Sequence, residues 1–410
     1  MTTSALQLLR TNSDVRRVYL SRIISFGGDW FLIVPLFGLV HEISGDPFLT
    51  TAVLAANSLP AFVFSPWAGT LADRLNRKKL MVYSDLAASL VVLSLLFVDD
   101  LRSVPLALIG IAAVATANAF FTPASSAALP NLVHADDLAK ANLLVESTWG
   151  TMAAIGSFLG GIVAGWLGRD AAFIIDAASF AIAALLLSRI ERPVSTGPRM
   201  SRQPMLTALR EAGRYAARHR PVAALLTTKA GFGLFGAGGT VLLPLLSLEV
   251  FLTGDSGTGF LWGARGVGVV VGPFLVRRLL APNDRTLLEL ISWSMVFWGL
   301  GYLAVALSPT LALAALAVGL GHMGGGCQWT FSSYGLQLLT EDKYRGRIFG
   351  FDFAAVTLSM TLSTLVAGWA ANHYTIRSVI AALAIFGMVF GTTWGFVTKK
   401  FWRDVAPQTR

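Results

Sequence analysis

Long apolar runs, each bounded by a short polar or basic connection, cover almost the whole chain. They fall at about 18–40, 48–71, 80–98, 104–129, 141–167, 171–187, 222–248, 257–276, 287–307, 311–339, 349–371 and 378–397. As helices, runs of about 20 residues match the hydrocarbon thickness of a bilayer. A membrane barrel would instead show short, alternating strands. The pattern predicts an all-α membrane protein with twelve transmembrane helices. The longest polar stretch, Arg189 to Arg220, separates the sixth run from the seventh and carries eight arginines against two acids, Glu191 and Glu211. Pro193, Pro198 and Pro204 break its first part. From Met205 it reads as an amphipathic helix, with Arg210, Arg214 and Arg218 at every fourth position. Such a helix is expected to lie on the anionic inner leaflet, and a basic helix that binds a partner is the alternative. The division is then 1–188 for one six-helix bundle, 189–220 for a cytoplasmic linker and 221–410 for a second, pseudo-symmetric bundle.

Composition agrees: 54% of residues are hydrophobic and 13% charged, against about 25% charged in soluble domains. The net charge of +9 invites a nucleic-acid reading, but its distribution argues against one. On the predicted topology only Arg102, Arg169 and Arg377 lie outside, and Arg22, Lys229 and Arg265 fall within spans. The rest crowd one side, which is expected to place both termini in the cytoplasm. Met1 to Val15 is polar and shows no cleavable signal pattern. The single Cys327 excludes an internal disulfide. No metal-ligand spacing and no nucleophile–base constellation is visible, so no metal, cofactor or enzymatic activity is expected. A monomer is expected.

Ionisable residues inside the apolar runs are the sharpest functional signal, because each is costly unless paired or wet. Asp29 sits halfway along the first run beside Gly27 and Gly28. It reads as a proton-coupling or cation-binding acid, or as a structural acid bonded to Arg22 or to backbone opened at the glycines. Glu146 in the fifth run and Arg265 in the eighth are candidates for an interdomain pair, either a state-dependent latch or a static bridge. His322, inside a glycine-rich part of the tenth run, suits a proton relay or a bonded position in a helix kink. Lys229 and Arg22 read as side chains that snorkel to the interface, and Asp85 as a member of the cytoplasmic charge cluster. Glycines crowd the first, seventh and tenth runs, and Pro123 interrupts the fourth. Interrupted helices at corresponding positions point to a central site, while close packing through small residues is the other reading. On the first reading Trp30, Phe31, Asn118, Phe120, Phe121, Phe232, Phe235, Gln328 and Trp329 line an amphipathic cavity.

The connection Gly69-Thr70-Leu71-Ala72-Asp73-Arg74-Leu75-Asn76-Arg77-Lys78-Lys79 is unlike an ordinary inter-span loop. Its spelling resembles the G-x-x-x-D-R-x-G-R-K loop between the second and third helices of the major facilitator superfamily, with Asn76 in place of glycine, a replacement that tolerates left-handed backbone. A degraded echo, Gly272-Pro273-Phe274-Leu275-Val276-Arg277-Arg278, stands in the second half. Thr122-Pro123-Ala124, Ala128 to Val133 and Ala141-Asn142, together with Ala172 to Phe180, resemble a bacterial drug-exporter branch that includes macrolide-efflux and enterobactin-exporter proteins. Gly156-Ser157-Phe158-Leu159-Gly160-Gly161 is similar to that superfamily's antiporter motif, with Ser157 in place of proline.

The resemblance implies alternating access between two bundles. It implies an inner gate formed by Gly69, Asp73, Arg74 and Arg77, with Asp73 meeting the start of the eleventh helix at Arg345-Gly346-Arg347. The expected activity is proton-coupled export of an amphipathic small molecule of drug or siderophore class, with protons and membrane lipid as the other partners. The alternatives are movement of lysophospholipid, lipid or a metabolite, or a non-transporting membrane sensor or scaffold.

Overall fold

Several helix starts in this protein are set by side chains that satisfy first-turn amides, which otherwise lack partners. The computed structural model describes residues 5–134, 137–194, 205–280 and 283–402. A short helix α1 (Ala5–Thr11) precedes α2 (Ser13–Ser44). Asn12 caps α2, its side-chain oxygen accepting from the Val15 amide at 3.1 Å. Gly45 closes α2 with φ of 58°, the left-handed conformation that ends many helices. Then follow α3 (Pro47–Arg74), α4 (Arg77–Ser94), α5 (Val104–Ala128), α6 (Leu138–Leu167) and α7 (Arg169–Ser188). The second series comprises α8 (Met205–Arg218), α9 (Arg220–Val241), α10 (Gly254–Leu280), α11 (Asp284–Leu307), α12 (Leu311–Leu339), α13 (Asp342–Ala371) and α14 (Ile376–Thr398). Asn283, Thr310 and Thr375 cap α11, α12 and α14 as Asn12 caps α2.

Among the described residues, eleven helices are long and apolar enough to cross a membrane, and α6 adds the shorter apolar segment Thr151–Leu167. All twelve predicted runs are helical. Several helices outrun their apolar parts: the first begins at Ser13 rather than Val18, the eleventh at Asp342 rather than Phe349. Polar flanking residues can stay helical where the membrane interface solvates them.

The chain forms two compact units, Met1–Gly45 with Ala56–Arg202, and Asp46–Ala55 with Gln203–Arg410. In the first, α2 packs on α6 and α7, and α4 on α5 and α7. Glycine makes the α2–α6 crossing possible. A Cβ on Gly156 would lie 2.5 Å from the Gly27 carbonyl oxygen, and one on Gly160 would overlap the Phe31 carbonyl. Ser157, where the resemblance has proline, donates to the Ala153 carbonyl at 2.8 Å and leaves the helix intact.

In the second unit α10 and α11 pack on α12, α11 on α14, and α9 on α13 and α14. The glycines expected to interrupt the seventh and tenth helices do not do so. Both α9 and α12 run continuously through them, and α9 turns irregular only beyond them, in a π-helical turn at Leu246–Val250. The glycines carry close helix contact instead. A Cβ on Gly272 or Gly326 would overlap backbone of the facing helix, at Met323 and Val269 respectively. Pro123 likewise lies inside a continuous α5.

The linker helix makes a contact that the sequence reading does not foresee: α8 packs on α13. Tyr215 is buried in a core with Leu225, Leu288, Phe331 and Ile348. Its ring lies 4.4 Å from that of Tyr344, and its hydroxyl accepts from the Glu341 amide at 3.2 Å. A buried tyrosine with a bonded hydroxyl is satisfied by protein, not by lipid.

These contacts predict that Gly160→Val destabilises the protein by about 1–3 kcal/mol or more, since the α2–α6 backbone has no room to give. Gly213→Ala in α8, where a Cβ meets open space, should keep stability or raise it by up to about 1 kcal/mol, since alanine is the better helix former. Thermal unfolding in detergent checks this, and equal melting temperatures for the two variants would contradict it.

Candidate functional site

The basic end of the first unit is built on carbonyl oxygens. Arg77 is buried at 2% exposure, and its Nη1 donates to the Ala127 and Val194 carbonyls at 2.8 and 3.2 Å. Lys78 Nζ donates to the Ile190 carbonyl at 2.8 Å. Cations are thus placed at the C-terminal ends of α5 and α7, where helix dipoles favour them. Asp14 accepts from the Glu191 and Arg192 amides, each at 3.2 Å, and pairs with Arg17 at 2.8 Å. Asn76 is not the left-handed residue expected from the resemblance. It is extended, with φ of −66°, and caps α4 by accepting from the Lys79 amide at 3.1 Å. A capping side chain is a reason for asparagine here that glycine could not supply. The backbones of Gly69, Asp73 and Arg74 are helical in α3; their side-chain surroundings lie outside the described residues. So do those of Glu146 in α6, and with them the proposed pairing to Arg265. Arg265 itself lies 5.2 Å from the ring of Trp262.

Midway along α2 the first unit becomes polar. Asn118 Nδ2 donates to Asp29 Oδ1 at 2.6 Å, joining α5 to α2. One turn earlier Ser25 donates to Asp85 Oδ1 at 3.0 Å. Asp176 of α7 lies against Gly28, where any Cβ would overlap its Oδ1, and accepts from Ser179 at 3.3 Å. Three carboxylates from α2, α4 and α7 therefore surround two turns of one helix. Asp29 is partly accessible, whereas Asp85 and Asp176 are each 1% exposed, with their Oδ2 atoms lacking hydrogen-bond partners. Among the described residues no cation pairs with any of the three. In a low-dielectric interior such groups are neutralised by a proton or an ion rather than left charged.

Asp85 accordingly belongs to this interior and not to the basic loop, whose Arg77 and Lys78 bond instead to the carbonyls of Ala127, Val194 and Ile190. Arg22 does not snorkel either: it is 5% exposed, donates to Ser125 at 2.9 Å and stands 5.0 Å over the Phe26 ring. Asp176 is absent from the sequence candidates, although it carries the same signal as Asp29, a lone acid inside an apolar run.

The second unit holds the other sequence candidates. His322 is buried, its Nδ1 3.2 Å from the Val318 carbonyl and its ring 5.5 Å from that of Tyr302. Lys229, read as snorkelling, is 3% exposed and pairs with Asp352 at 2.5 Å. Asp352 is the second acid that the sequence reading passes over. Arg347 pairs with Glu211 of α8 at 2.5 Å, and Arg345 Nη2 lies 3.5 Å from the Thr340 carbonyl. In this structure the start of α13 is thus engaged with the linker helix of its own unit.

The cavity-lining expectation divides. Phe121 is 1% exposed and packs in the core with Val15, Met81 and Leu129, so it walls no cavity. Phe235 faces Phe386 and Phe390 of α14, and Phe232 meets Trp298 edge-on at 5.7 Å. Trp30 and Phe31 sit at the α2–α6 crossing, where their backbones approach Gly156 and Gly160. Phe120 lies 6.3 Å from the Phe64 ring. Gln328 is fully buried with neither amide atom bonded. Trp329 faces the Lys229 ammonium.

The family described as transmembrane secretion effectors matches residues 3–400. The chain is 24% identical to BacE of Bacillus subtilis, a proposed bacilysin exporter, over 87% of this chain and 88% of that one. It is 24% identical to the multidrug efflux pump Tap of Mycolicibacterium fortuitum, over 88% of this chain and 91% of the other. A bacterial homologue of the human lysosomal transporter Spinster, solved inward-facing and unoccupied, superposes with a TM-score of 0.73 at 14% identity, over 95% of this chain and 97% of that one. That last likeness is one of fold alone.

Arg77→Met removes a buried guanidinium that serves two carbonyls, and charged hydrogen bonds are worth about 1.5–3 kcal/mol each. The variant should lose at least that much stability, read as a lower unfolding midpoint in detergent. An unchanged midpoint would show that the loop's anchoring does not depend on this residue.

Proposed function

Since the chain belongs to the transmembrane secretion effector family of the major facilitator superfamily, we propose that it exports amphipathic small molecules by proton antiport with alternating access. The protein is a multi-pass membrane transporter rather than an enzyme. The observation that carries the finer reading is Asp29. Its carboxylate lies mid-span, is partly accessible, and is held by the neutral amide of Asn118. A carboxylate bonded to an amide can load and release a proton without breaking an ion pair. Asp85 and Asp176 stand behind it, and Gly28 lets Asp176 approach. Exporters among the relatives, BacE and Tap by name, support the direction of transport.

The remaining parts of the proposal follow from this. Substrate and proton alternate at or near Asp29. The loop Gly69 to Lys79 latches the inner gate through Asp73 and Arg74, with Arg345 and Arg347 as the counterpart and Glu146 with Arg265 as a second latch. The membrane is a bacterial inner or plasma membrane, with both termini in the cytoplasm.

A second reading, movement of lipid or lysophospholipid, has one observation in its favour. An open apolar groove of about 400 Å³ lies between α9 and α14, walled by Ala223, Phe390, Trp394 and Phe401, with Arg220 beside it.

The first test is a drug-susceptibility screen of cells lacking and overproducing the protein, repeated with the proton gradient collapsed. Export by antiport predicts protection that disappears with the gradient; no protection against any compound would favour the lipid reading. Asp29→Asn should abolish gradient-driven export while the protein remains folded and membrane-inserted. Full export in that variant would refute the coupling role.

A further inference from the structure

The second unit contains a buried polar site that the proton-coupling account does not use. Lys229 of α9 and Asp352 of α13 lie nine and ten residues from their helix starts, about 14–15 Å along each helix. Trp329 of α12 lies ten residues from the end of its helix, at the same level. Lys229 Nζ donates to Asp352 Oδ2 at 2.5 Å, and both side chains are almost fully buried, at 3% and 4% exposure. The ammonium stands 4.9 Å from the Trp329 ring centroid and 5.9 Å from that of Phe349. Trp329 and Phe349 are themselves partly accessible.

The pair is incompletely used. An ammonium has three donors, and hydrogen bonding to Asp352 occupies one of them. Asp352 Oδ1 is buried with no hydrogen-bond partner. A spare acceptor and spare donors therefore lie side by side between two aromatic rings. As a stabilising device this is a poor bargain, because a buried ion pair stabilises little more than well-packed apolar residues of similar volume.

We propose that Lys229 and Asp352, with Trp329 and Phe349, form a binding site for a zwitterionic head group, a primary ammonium next to an anionic group on an apolar body. The ligand's ammonium is taken by Asp352 against the aromatic faces, and its anion by the free donors of Lys229. Charge balance selects the zwitterion. The site is neutral as it stands, so a singly charged guest leaves one buried charge uncompensated, whereas a zwitterion converts one pair into two and keeps the sum at zero. The aromatic faces add cation–π attraction for the incoming ammonium. The site's meaning for export rests on the transport reading above; binding itself does not, since it needs neither a gradient nor Asp29. Two sources share this chemistry, an amphiphilic α-amino acid or its derivatives, and a lysophospholipid with an ethanolamine head.

The test is equilibrium binding to the full-length protein in detergent by calorimetry. The probes are 2-aminodecanoic acid, its N-acetyl derivative, its methyl ester, and lysophosphatidylethanolamine below its micelle concentration. Wild type should bind at least one zwitterion, and bind 2-aminodecanoic acid about tenfold more tightly than the anionic or cationic derivative if the amino acid is the source. Binding of lysophosphatidylethanolamine alone assigns the site to lipid. Single neutralisations strand a buried charge, so the deciding variant is the doubly apolar Lys229→Met/Asp352→Leu. It should keep a melting temperature within about 3 °C of wild type and weaken zwitterion binding about tenfold or more. Three results overturn the proposal: no zwitterion binding by wild type, unchanged binding in the double variant, or a double variant that fails to fold, which would make the pair structural. Binding is read in detergent with no gradient and the coupling account as gradient-driven export from cells, so failure of the coupling account and failure of this site are separately visible.

Discussion

Hydrocarbon offers no solvent to a charge, so every ionised group within a span has to be neutralised by its own surroundings. The rest of the structure depends on how this constraint is met. At the basic end of the first unit it is met by carbonyl oxygens, which hold Arg77 and Lys78 at the ends of α5 and α7. In the second unit it is met by an ion pair, Lys229 with Asp352. At Asp29 it is met by neither, and the partner is a neutral amide. Arg77, Lys78 and Lys229 thus have fixed counterparts. The carboxylates around α2 have no cationic counterpart among the described residues, which is the observation on which the proposed proton coupling rests.

Rigid helix contact is the second requirement, because a carboxylate is useful only if its surroundings hold their shape. Glycine provides it in both units. Gly156 and Gly160 bring α6 onto the backbone of α2 immediately beside Asp29, and Gly28 admits Asp176 from α7. In the second unit Gly272 and Gly326 do the same between α10 and α12. Such packing works in lipid because dispersion between close backbones replaces the missing hydrophobic drive. The same glycines that look like helix breakers in the sequence are thus the means by which continuous helices pack close.

The fold was legible in the sequence because bilayer thickness prints directly onto the length of apolar runs. Asp29 was legible for the same reason, as an acid where the pattern allows none. Pairing across long sequence separations was not. Lys229 looks like an isolated snorkelling lysine until Asp352 arrives from α13, and no periodicity in either helix announces the other. Asp176 stands inside a stretch that resembles an exporter family, and the resemblance draws attention away from its lone carboxylate. Asn76 reads as a tolerated substitute for glycine, because a motif records which residue types occur and not that asparagine can cap α4. The docking of α8 escaped because charge repeats every four residues along it, while the decisive contact is one buried tyrosine.

The central claim is that Asp29 exchanges a proton for substrate. Its most direct measurement is proton release from purified protein in weakly buffered detergent solution, on addition of a compound that the susceptibility screen shows to be exported. The account predicts stoichiometric release by wild type and none by Asp29→Asn, which mimics the protonated acid and binds the compound more weakly, at compound concentrations that occupy both proteins. Equal release by both proteins, or substrate binding to wild type with no release at any pH, would contradict it.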